Sequence, residues 1–385
     1  MENKKIKIII SGGGTGGHVF PAIAIANALK KKVNDIDILF VGATGKLEME
    51  KVPAAGYPIE GLCISGFQRR LTYKNFIFPF KLLSSLWISR KIIKKFKPDV
   101  VVGVGGYASG AVVKVAAGMG IPTLIQEQNS FPGITNRMLS KKANKICVAY
   151  QGMDKYFPKS KVILTGNPVR QDIVEIQDKK TEALNYFGLS AGKKILFAVG
   201  GSLGARTINE SIFNNLEWFE NNGVQIIWQT GKLYFETAEE ATKKYSKAGI
   251  KAFDFINRMD LAYAAADIII SRAGAISVSE LCIVGKPVIL VPSPNVAEDH
   301  QTKNALTLVK ANAAILVKDS DCRSVIGKCV TDMFNDDEKM KYLSKNINSL
   351  ALKDAADVIA SEVLGLINQS LYINSKVFDN FRFII

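Results

Sequence analysis

Short apolar runs rich in Ile and Val alternate along this chain with longer stretches in which apolar residues recur every three or four positions. The first run, Lys5–Ile10, leads through a glycine loop, Ser11–His18, into an apolar helical pattern from Pro21 through Leu29. The same opening recurs downstream: the run Lys194–Val199, the loop Gly200–Arg206 and a helical pattern from near Thr207. Further runs of the same kind are Ile36–Val41, Val100–Val104, Thr123–Gln126, Ile226–Gln229, Ile268–Ser271 and Val288–Val291. Short β-branched runs separated by helical stretches predict parallel strands covered on both faces. The expected fold class is therefore α/β, with two Rossmann-like parallel-sheet domains.

The boundary is expected near Gly166-Asn-Pro-Val-Arg170, where Gly and Pro punctuate the chain just after the strand Lys161–Leu164. This gives an N-terminal domain over 1–166 and a C-terminal domain over 167–350. An amphipathic stretch, 351–367, predicts a closing helix expected to pack back on the first domain. The tail, 368–385, is apolar without a clear period and receives no assignment.

Composition narrows the class. A chain of 385 residues is too long for one ordinary core. With 48% hydrophobic and 22% charged residues it is globular rather than disordered. The five cysteines, Cys63, Cys147, Cys282, Cys322 and Cys329, are odd in number and scattered, which predicts reduced thiols rather than a disulfide frame or zinc site. Two histidines, His18 and His300, argue against a His-rich metal site. The run Ile8–Ile10 is too short for a signal-peptide core, and no apolar stretch is long enough to span a bilayer.

The net charge of +15 is uneven. No acid occurs between Glu60 and Asp99, while Arg69, Arg70, Lys74, Lys81, Arg90, Lys91, Lys94, Lys95 and Lys97 do. The same interval carries Phe76, Phe78, Phe80, Leu82, Leu83 and Trp87. Apolar anchors flanked by basic residues fit an anionic membrane surface, the bland alternative being a buried helix with a solvated basic side. Pro79 obscures which of these residues point outward. No nucleic-acid motif accompanies the charge, so nucleic acid is not the expected partner.

Three glycine loops follow strands: Gly12–Gly17, Gly103–Gly110 and Gly200–Gly204. Glycine permits positive φ and lets backbone N–H groups approach an anion. Gly12-x-Gly14-x-x-Gly17 fits the dinucleotide fingerprint, but the second strand ends Leu39-Phe40-Val41-Gly42 with no ribose-binding acid, which argues against NAD. No Walker motif occurs. A further strand ends at Ser271-Arg272-Ala-Gly-Ala275, so the next helix offers its N-terminus to a diphosphate. Glu280 on that helix reads either as a solvated position or as a carboxylate that accepts ribose hydroxyls.

Taken together, Gly13–Ala22, Gly105–Gly110, Glu127–Gly133, Gly166–Arg170, Gly200–Arg206, Ser271–Ala275, Ser279-Glu280, Asp299-His-Gln301 and Asn304-Ala305 resemble, in order, the MurG family. These are N-acetylglucosaminyltransferases that act on UDP-N-acetylglucosamine and undecaprenyl-pyrophosphoryl-muramyl-pentapeptide. The resemblance runs from about residue 5 to residue 367 and leaves the tail outside. It implies the GT-B architecture, two Rossmann-like domains facing a central cleft. The C-terminal domain would hold the UDP-sugar and the N-terminal domain the lipid acceptor.

By motif match, Ser202, Arg272, Ala275 and Glu280 would contact the UDP part, Ile256 would meet uracil through its backbone, and Gln301 would hold the donor sugar. Thr15, Gly16, Gly17, Asn129 and Arg170 would close over the donor from the other domain. Leu203 and Thr302 stand where relatives often carry Gln, which weakens a two-glutamine grip on the sugar. An α-linked donor and a β-linked product imply inversion, with His18 the first candidate base and a helix-capping phosphate contact its alternative. No Asp-x-Asp clamp stands out and no cofactor is expected; Arg272 and the helix N-terminus would meet the leaving charge. His300 is expected to shape the loop that presents Gln301. The implied setting is the cytoplasmic face of the bacterial plasma membrane, among proteins of cell-wall synthesis. Competing readings are a GT-B transferase with another lipid acceptor, a UDP-sugar epimerase and a non-catalytic UDP-sugar binder.

Overall fold

The structure, a computed structural model, describes residues 5–64 and 73–382, and for 73–78, 297 and 370–382 the backbone path alone. The chain divides into two compact units, Met1–Val169 with Asp354–Ile385, and Arg170–Lys353.

Unit 1 holds a seven-stranded sheet of β1 (Ile6–Ser11), β2 (Ile36–Ala43), β3 (Ile59–Leu62), β4 (Val100–Gly103), β5 (Thr123–Glu127), β6 (Lys145–Val148) and β7 (Val162–Leu164). Its order is β3-β2-β1-β4-β5-β6-β7, parallel throughout. Successive residues of a strand point to opposite faces. Ile8, Ile10, Val100 and Val102 accordingly pack in one core with α1 (Gly16–Lys32) and the closing helix Ala355–Arg382. Ile9 and Val101 pack in the other, with α3 (Tyr73–Phe96), α4 (Tyr107–Gly118) and α5 (Ile134–Leu139). Both faces are covered, which is why these strands are continuously apolar. α2 (Glu48–Ala54) lies between β2 and β3.

Three helix boundaries differ from the sequence reading. α1 begins at Gly16, not at Pro21; Pro21 lies inside it and lacks the N–H that would bond the Gly17 carbonyl. α3 runs through Pro79 without ending. The closing helix continues through the unassigned tail to Arg382, with no Pro after Ala355 to stop it. Arg69 and Arg70 lie outside the described residues, as do the side chains of Lys74, Phe76 and Phe78.

Unit 2 holds β8 (Ile195–Val199), β9 (Gln225–Gln229), β10 (Ile250–Phe253), β11 (Ile268–Ser271), β12 (Val288–Leu290) and β13 (Ile315–Leu316), in the parallel order β10-β9-β8-β11-β12-β13. Leu196, Ala198, Trp228, Ile268 and Ile270 face one core. On the other side Phe197 meets the buried ring of Tyr263 edge-on at 5.6 Å. In both sheets the strand order reverses beside the first strand, between β1 and β4 and between β8 and β11. Loops part there at the carboxyl edge and leave room for a ligand.

Candidate functional site

In unit 1 the two loops at the switch point lie backbone against backbone. A Cβ on Gly106 would stand 2.5 Å from the Gly13 carbonyl oxygen, and one on Gly105 2.8 Å from Nε2 of His18. Both glycines have positive φ, +95° and +87° for Gly105 and Gly106. A side chain at either position would force the loops apart and displace the imidazole.

Thr15 caps α1, and Gly16, Gly17 and His18 form its first turn. Nδ1 of His18 lies 3.0 Å from the Gly13 carbonyl and 3.4 Å from Oγ1 of Thr15. A carbonyl only accepts, so Nδ1 carries the proton, and in the neutral ring Nε2 is the basic nitrogen. Behind the loop stands Glu48, fully buried. Its carboxylate accepts from Gly14 N and Ala43 N, each at 2.8 Å. Gly14 N–H is therefore engaged within the protein, and the N-terminus of α1 is the part of this loop left to face an anion.

The loop after β5 is fixed by Glu127. This buried carboxylate accepts from Asn129 N at 3.1 Å, Asn129 Nδ2 at 3.3 Å, Gly133 N at 3.1 Å and Asn136 Nδ2 at 2.9 Å. Burial pushes its carboxyl upward, and the four donors pull it back. Gln128 donates to the Val104 carbonyl at 2.8 Å, and Asn167 donates to the Gln128 carbonyl at 3.0 Å. Asn129 is thus presented from a loop whose buried amides are tied to β4 and to the end of β7.

In unit 2 the loop Gly200–Gly204 closes against the end of β9. A Cβ on Gly204 would stand 1.9 Å from the Thr230 carbonyl. Ser202 and Leu203 are exposed at its tip. Gln229, buried at the end of β9, donates to Gly201 O at 3.0 Å and accepts from Ile256 N at 2.9 Å. The Ile256 N–H is engaged, which leaves its carbonyl as the backbone group for a ligand donor.

Glu280 lies on the helix Ala275–Val284, whose N-cap is Gly274. It is not a solvated position: its side chain is 13% exposed. Burial pushes its carboxyl up to about 7, against the pull of Arg170 and of the Tyr263 hydroxyl. Tyr263 donates to Oε2 at 3.2 Å, and Arg170 Nε stands 4.0 Å from Oε1. Arg170 is the first residue of unit 2 and reaches Glu280 there. The chain crosses between the units one residue before it, within the boundary segment expected from sequence.

Arg272 differs from expectation. Its side chain is 14% exposed, and its two terminal nitrogens donate to Asp319 at 2.5 Å, Val291 O at 3.0 Å, Pro292 O at 3.3 Å and Thr207 Oγ1 at 3.1 Å. In this structure it clamps three segments at the carboxyl edge of the sheet and is ion-paired with Asp319. Gln301 accepts from Ser293 N at 2.9 Å and Ala273 N at 3.2 Å, so its amide –NH2 is the end that can donate to a ligand. It follows two residues with positive φ, Glu298 and Asp299, both at 53°. Such backbone is costly for non-Gly residues and collects at ligand sites. His300 Nε2 stands 3.9 Å from Glu298 across this bend. Among the described residues no cluster of His, Cys, Asp and Glu is arranged to hold a metal ion.

Two family models match the chain: the glycosyltransferase family 28 N-terminal domain over residues 8–148 and the C-terminal domain over residues 195–359. The UDP-N-acetylglucosamine–N-acetylmuramyl-(pentapeptide) pyrophosphoryl-undecaprenol N-acetylglucosamine transferase of Flavobacterium psychrophilum is 57% identical, over 94% of this chain and 98% of its own. The enzyme of the same name from Parabacteroides distasonis is 56% identical, over 95% and 100%. The chain belongs to this family of transferases. Among solved structures, MurG of Acinetobacter baumannii matches with a TM-score of 0.77 at 28% identity, over 94% of this chain and 99% of that one. A UDP-GlcNAc 2-epimerase from Neisseria meningitidis matches with a TM-score of 0.65 at 17% identity, a likeness of fold alone.

Within this family-28 glycosyltransferase the residues picked from sequence fall into two groups. Thr15, Gly16, Gly17, His18 and Asn129 gather at the switch point of unit 1, and Arg170, Ser202, Ile256, Arg272, Ala275, Glu280 and Gln301 line the carboxyl edge of unit 2. Glu48, Gln128, Gln229, Tyr263 and Asp319 were not picked. Glu48, Gln229, Tyr263 and Asp319 each bond a site loop or site residue distant in sequence, which no local motif announces, and Gln128 ties its loop to the Val104 carbonyl. The one available signal was a polar residue inside or at the end of an apolar run, as with Gln229.

Proposed function

We propose that this enzyme transfers N-acetylglucosamine from UDP-N-acetylglucosamine to the 4-hydroxyl of the muramyl residue of undecaprenyl-pyrophosphoryl-muramyl-pentapeptide, with inversion. The observation that carries this reading is the near-full-length match to transferases named for that substrate pair. The two glycine-lined switch points support it.

Unit 2 would take the donor. The Ile256 carbonyl accepts from the uracil ring, and Glu280 accepts from the ribose hydroxyls. The N-terminus of Ala275–Val284 and the Ser202 loop meet the diphosphate. The Gln301 –NH2 donates to the sugar. Unit 1 would take the acceptor, while Thr15, Gly16, Gly17 and Asn129, as the resemblance implies, would contribute to holding the donor. The 4-hydroxyl oxygen attacks C1 of the sugar as the C1–O bond to the diphosphate breaks. UDP leaves with that electron pair, and the hydroxyl proton passes to Nε2 of His18. The leaving charge falls to the helix dipole and to Arg272, once a diphosphate competes with Asp319 for the guanidinium.

The acceptor's lipid tail keeps it in a bilayer, so the enzyme must work at a membrane surface. No helix among the described residues is long and apolar enough to cross one. On α3, Phe80, Leu83 and Trp87 are 73%, 64% and 66% exposed and follow helical spacing. Lys91, Lys94 and Lys95 are exposed along the same helix, while Leu82 and Leu86 pack inward. This face supports docking on anionic lipid at the cytoplasmic side of the plasma membrane, in company with other proteins of cell-wall synthesis and so with a part in cell shape and division.

The test is transfer of labelled N-acetylglucosamine to a soluble muramyl-pyrophosphoryl acceptor and, in parallel, to diacylglycerol. A β-linked disaccharide on the muramyl acceptor is expected. Transfer to diacylglycerol alone would overturn the acceptor assignment.

A further inference from the structure

Gly13 and Gly14 share one peptide group. Its N–H, on Gly14, donates to Oε2 of Glu48 at 2.8 Å. Its C=O, on Gly13, accepts from Nδ1 of His18 at 3.0 Å. A buried carboxylate, a single peptide plane and an imidazole are thus in series. We propose that Glu48 is a positioning residue for the base: acting through the Gly13–Gly14 peptide, it fixes the tautomer of His18 and raises the basicity of Nε2. The inference rests on the reading of His18 as the general base.

Three features carry it. The carboxylate cannot move aside, because its second oxygen accepts from Ala43 N at 2.8 Å and the side chain is fully buried. Gly13 and Gly42 make the room: a Cβ on Gly13 would stand 2.0 Å from Oε1 of Glu48, and one on Gly42 2.4 Å from its Cγ. A hydrogen bond from an amide N–H to an anion polarises the amide and strengthens its carbonyl as an acceptor. The Gly13 oxygen then holds the Nδ1 proton more firmly and stabilises the imidazolium that forms when Nε2 takes a proton. No proton passes along the chain.

Other charges near α1 are already engaged. Asp357 of the closing helix pairs with Lys32 at 3.9 Å, and Glu362 pairs with Lys145. Asp37 of β2 pairs with Lys5 at 2.9 Å, and Glu50 of α2 with Lys51 at 2.8 Å. Lys7 of β1 lies over the Phe96 ring, and Lys46 before α2 is exposed. Across from the imidazole, the Gly105–Gly106 loop and Gln128 are uncharged. Glu127, beside Gln128, is held by Asn129, Gly133 and Asn136, so among the described residues of these elements Glu48 is the acid bonded to the Gly13–Gly14 peptide.

The experiment is nitrogen-15 NMR of the histidine rings in the intact enzyme and in Glu48→Gln, followed with pH alongside the kcat/KM profile. The chain has two histidines, so a His18→Gln variant assigns the signals. In the parent, neutral His18 should carry its proton on Nδ1. In Glu48→Gln its titration should fall by about half a pH unit, and the acidic limb of kcat/KM should fall with it. A proton on Nε2 in the parent, or an unchanged titration in a folded variant, would overturn the proposal; so would a ring shift that the rate profile does not follow. If Glu48→Gln does not fold, the parent's tautomer decides. The ring measurements need no substrate, so failure of the transferase reading shows separately, as a parent enzyme with no transfer activity.

Discussion

The hydroxyl of Tyr263 lies 3.2 Å from Oε2 of Glu280, in a position closed to water and packed beneath β8 by Phe197. The phenol holds one carboxylate oxygen, and the other stands 4.0 Å from Arg170. Burial pushes the Tyr263 hydroxyl far up and the Glu280 carboxyl up to about 7. In the free enzyme Glu280 therefore changes charge near neutrality.

That shift has a sign on binding. Ribose hydroxyls donate to the ionised form, so the KM for UDP-N-acetylglucosamine should fall as pH rises through about 7. Glu280→Gln should flatten this dependence and raise KM roughly ten- to a hundredfold, the loss of a charge-assisted hydrogen bond of about 1.5–3 kcal/mol. Initial-rate kinetics from pH 6 to 8 check it. An unchanged KM would remove Glu280 from the ribose site.

Stability should move the other way. The folded value of Glu280 lies above its unfolded value near 4.3. Its favourable contribution is complete below the unfolded value and lost as pH rises to about 7. Glu280→Gln should match the parent's melting temperature at pH 4 and exceed it at pH 8, read by calorimetry.

His18→Ala should cut kcat by roughly a hundredfold or more with little change in donor binding. Single-turnover kinetics with titration calorimetry separate the two. If turnover survives and only affinity drops, His18 is a phosphate contact.

Arg272→Lys should lower the melting temperature as well as donor affinity. Lysine cannot reproduce a fork that bonds Asp319, Thr207 and two carbonyls at once. The lysine keeps the charge opposite Asp319 but loses the remaining hydrogen bonds, each worth about 1 kcal/mol. A normal melting temperature with weakened nucleotide binding would make Arg272 a ligand contact alone.

Most strands and the three glycine loops were legible because buried parallel strands are continuously apolar and loop glycines recur at their ends; the strand orders that reverse beside β1 and β8 are set by pairing that no local pattern shows. The edge strands β3, β10 and β13 and the short interior strand β6 were not. Ile59-Glu-Gly-Leu62 and Ile250-Lys-Ala-Phe253 mix polar with apolar residues, and β13 has two residues. The face of α3 was hidden by Pro79, which the helix absorbs. Glu48 carries no motif of its own; its bonds to Gly14 N and Ala43 N form only when α2 packs against the first glycine loop. Arg272 read as a free cation because Asp319 lies far along the chain.

Binding to vesicles should rise with anionic lipid, fall with salt and weaken when Lys91, Lys94 and Lys95 become Gln, each basic residue contributing about 1 kcal/mol. Trp87→Ser should weaken it at high salt too, because burial of the ring is not screened. Sedimentation with vesicles reads both. Equal binding by the parent and the triple variant would make α3 an ordinary solvated helix.

The most direct test of the account is UDP release from UDP-N-acetylglucosamine by the purified enzyme, with and without undecaprenyl-pyrophosphoryl-muramyl-pentapeptide. The account predicts release that depends on the acceptor and matches the disaccharide-lipid formed mole for mole. Release at the same rate without the acceptor, or no release with it, would contradict the assignment of this chain as the transferase.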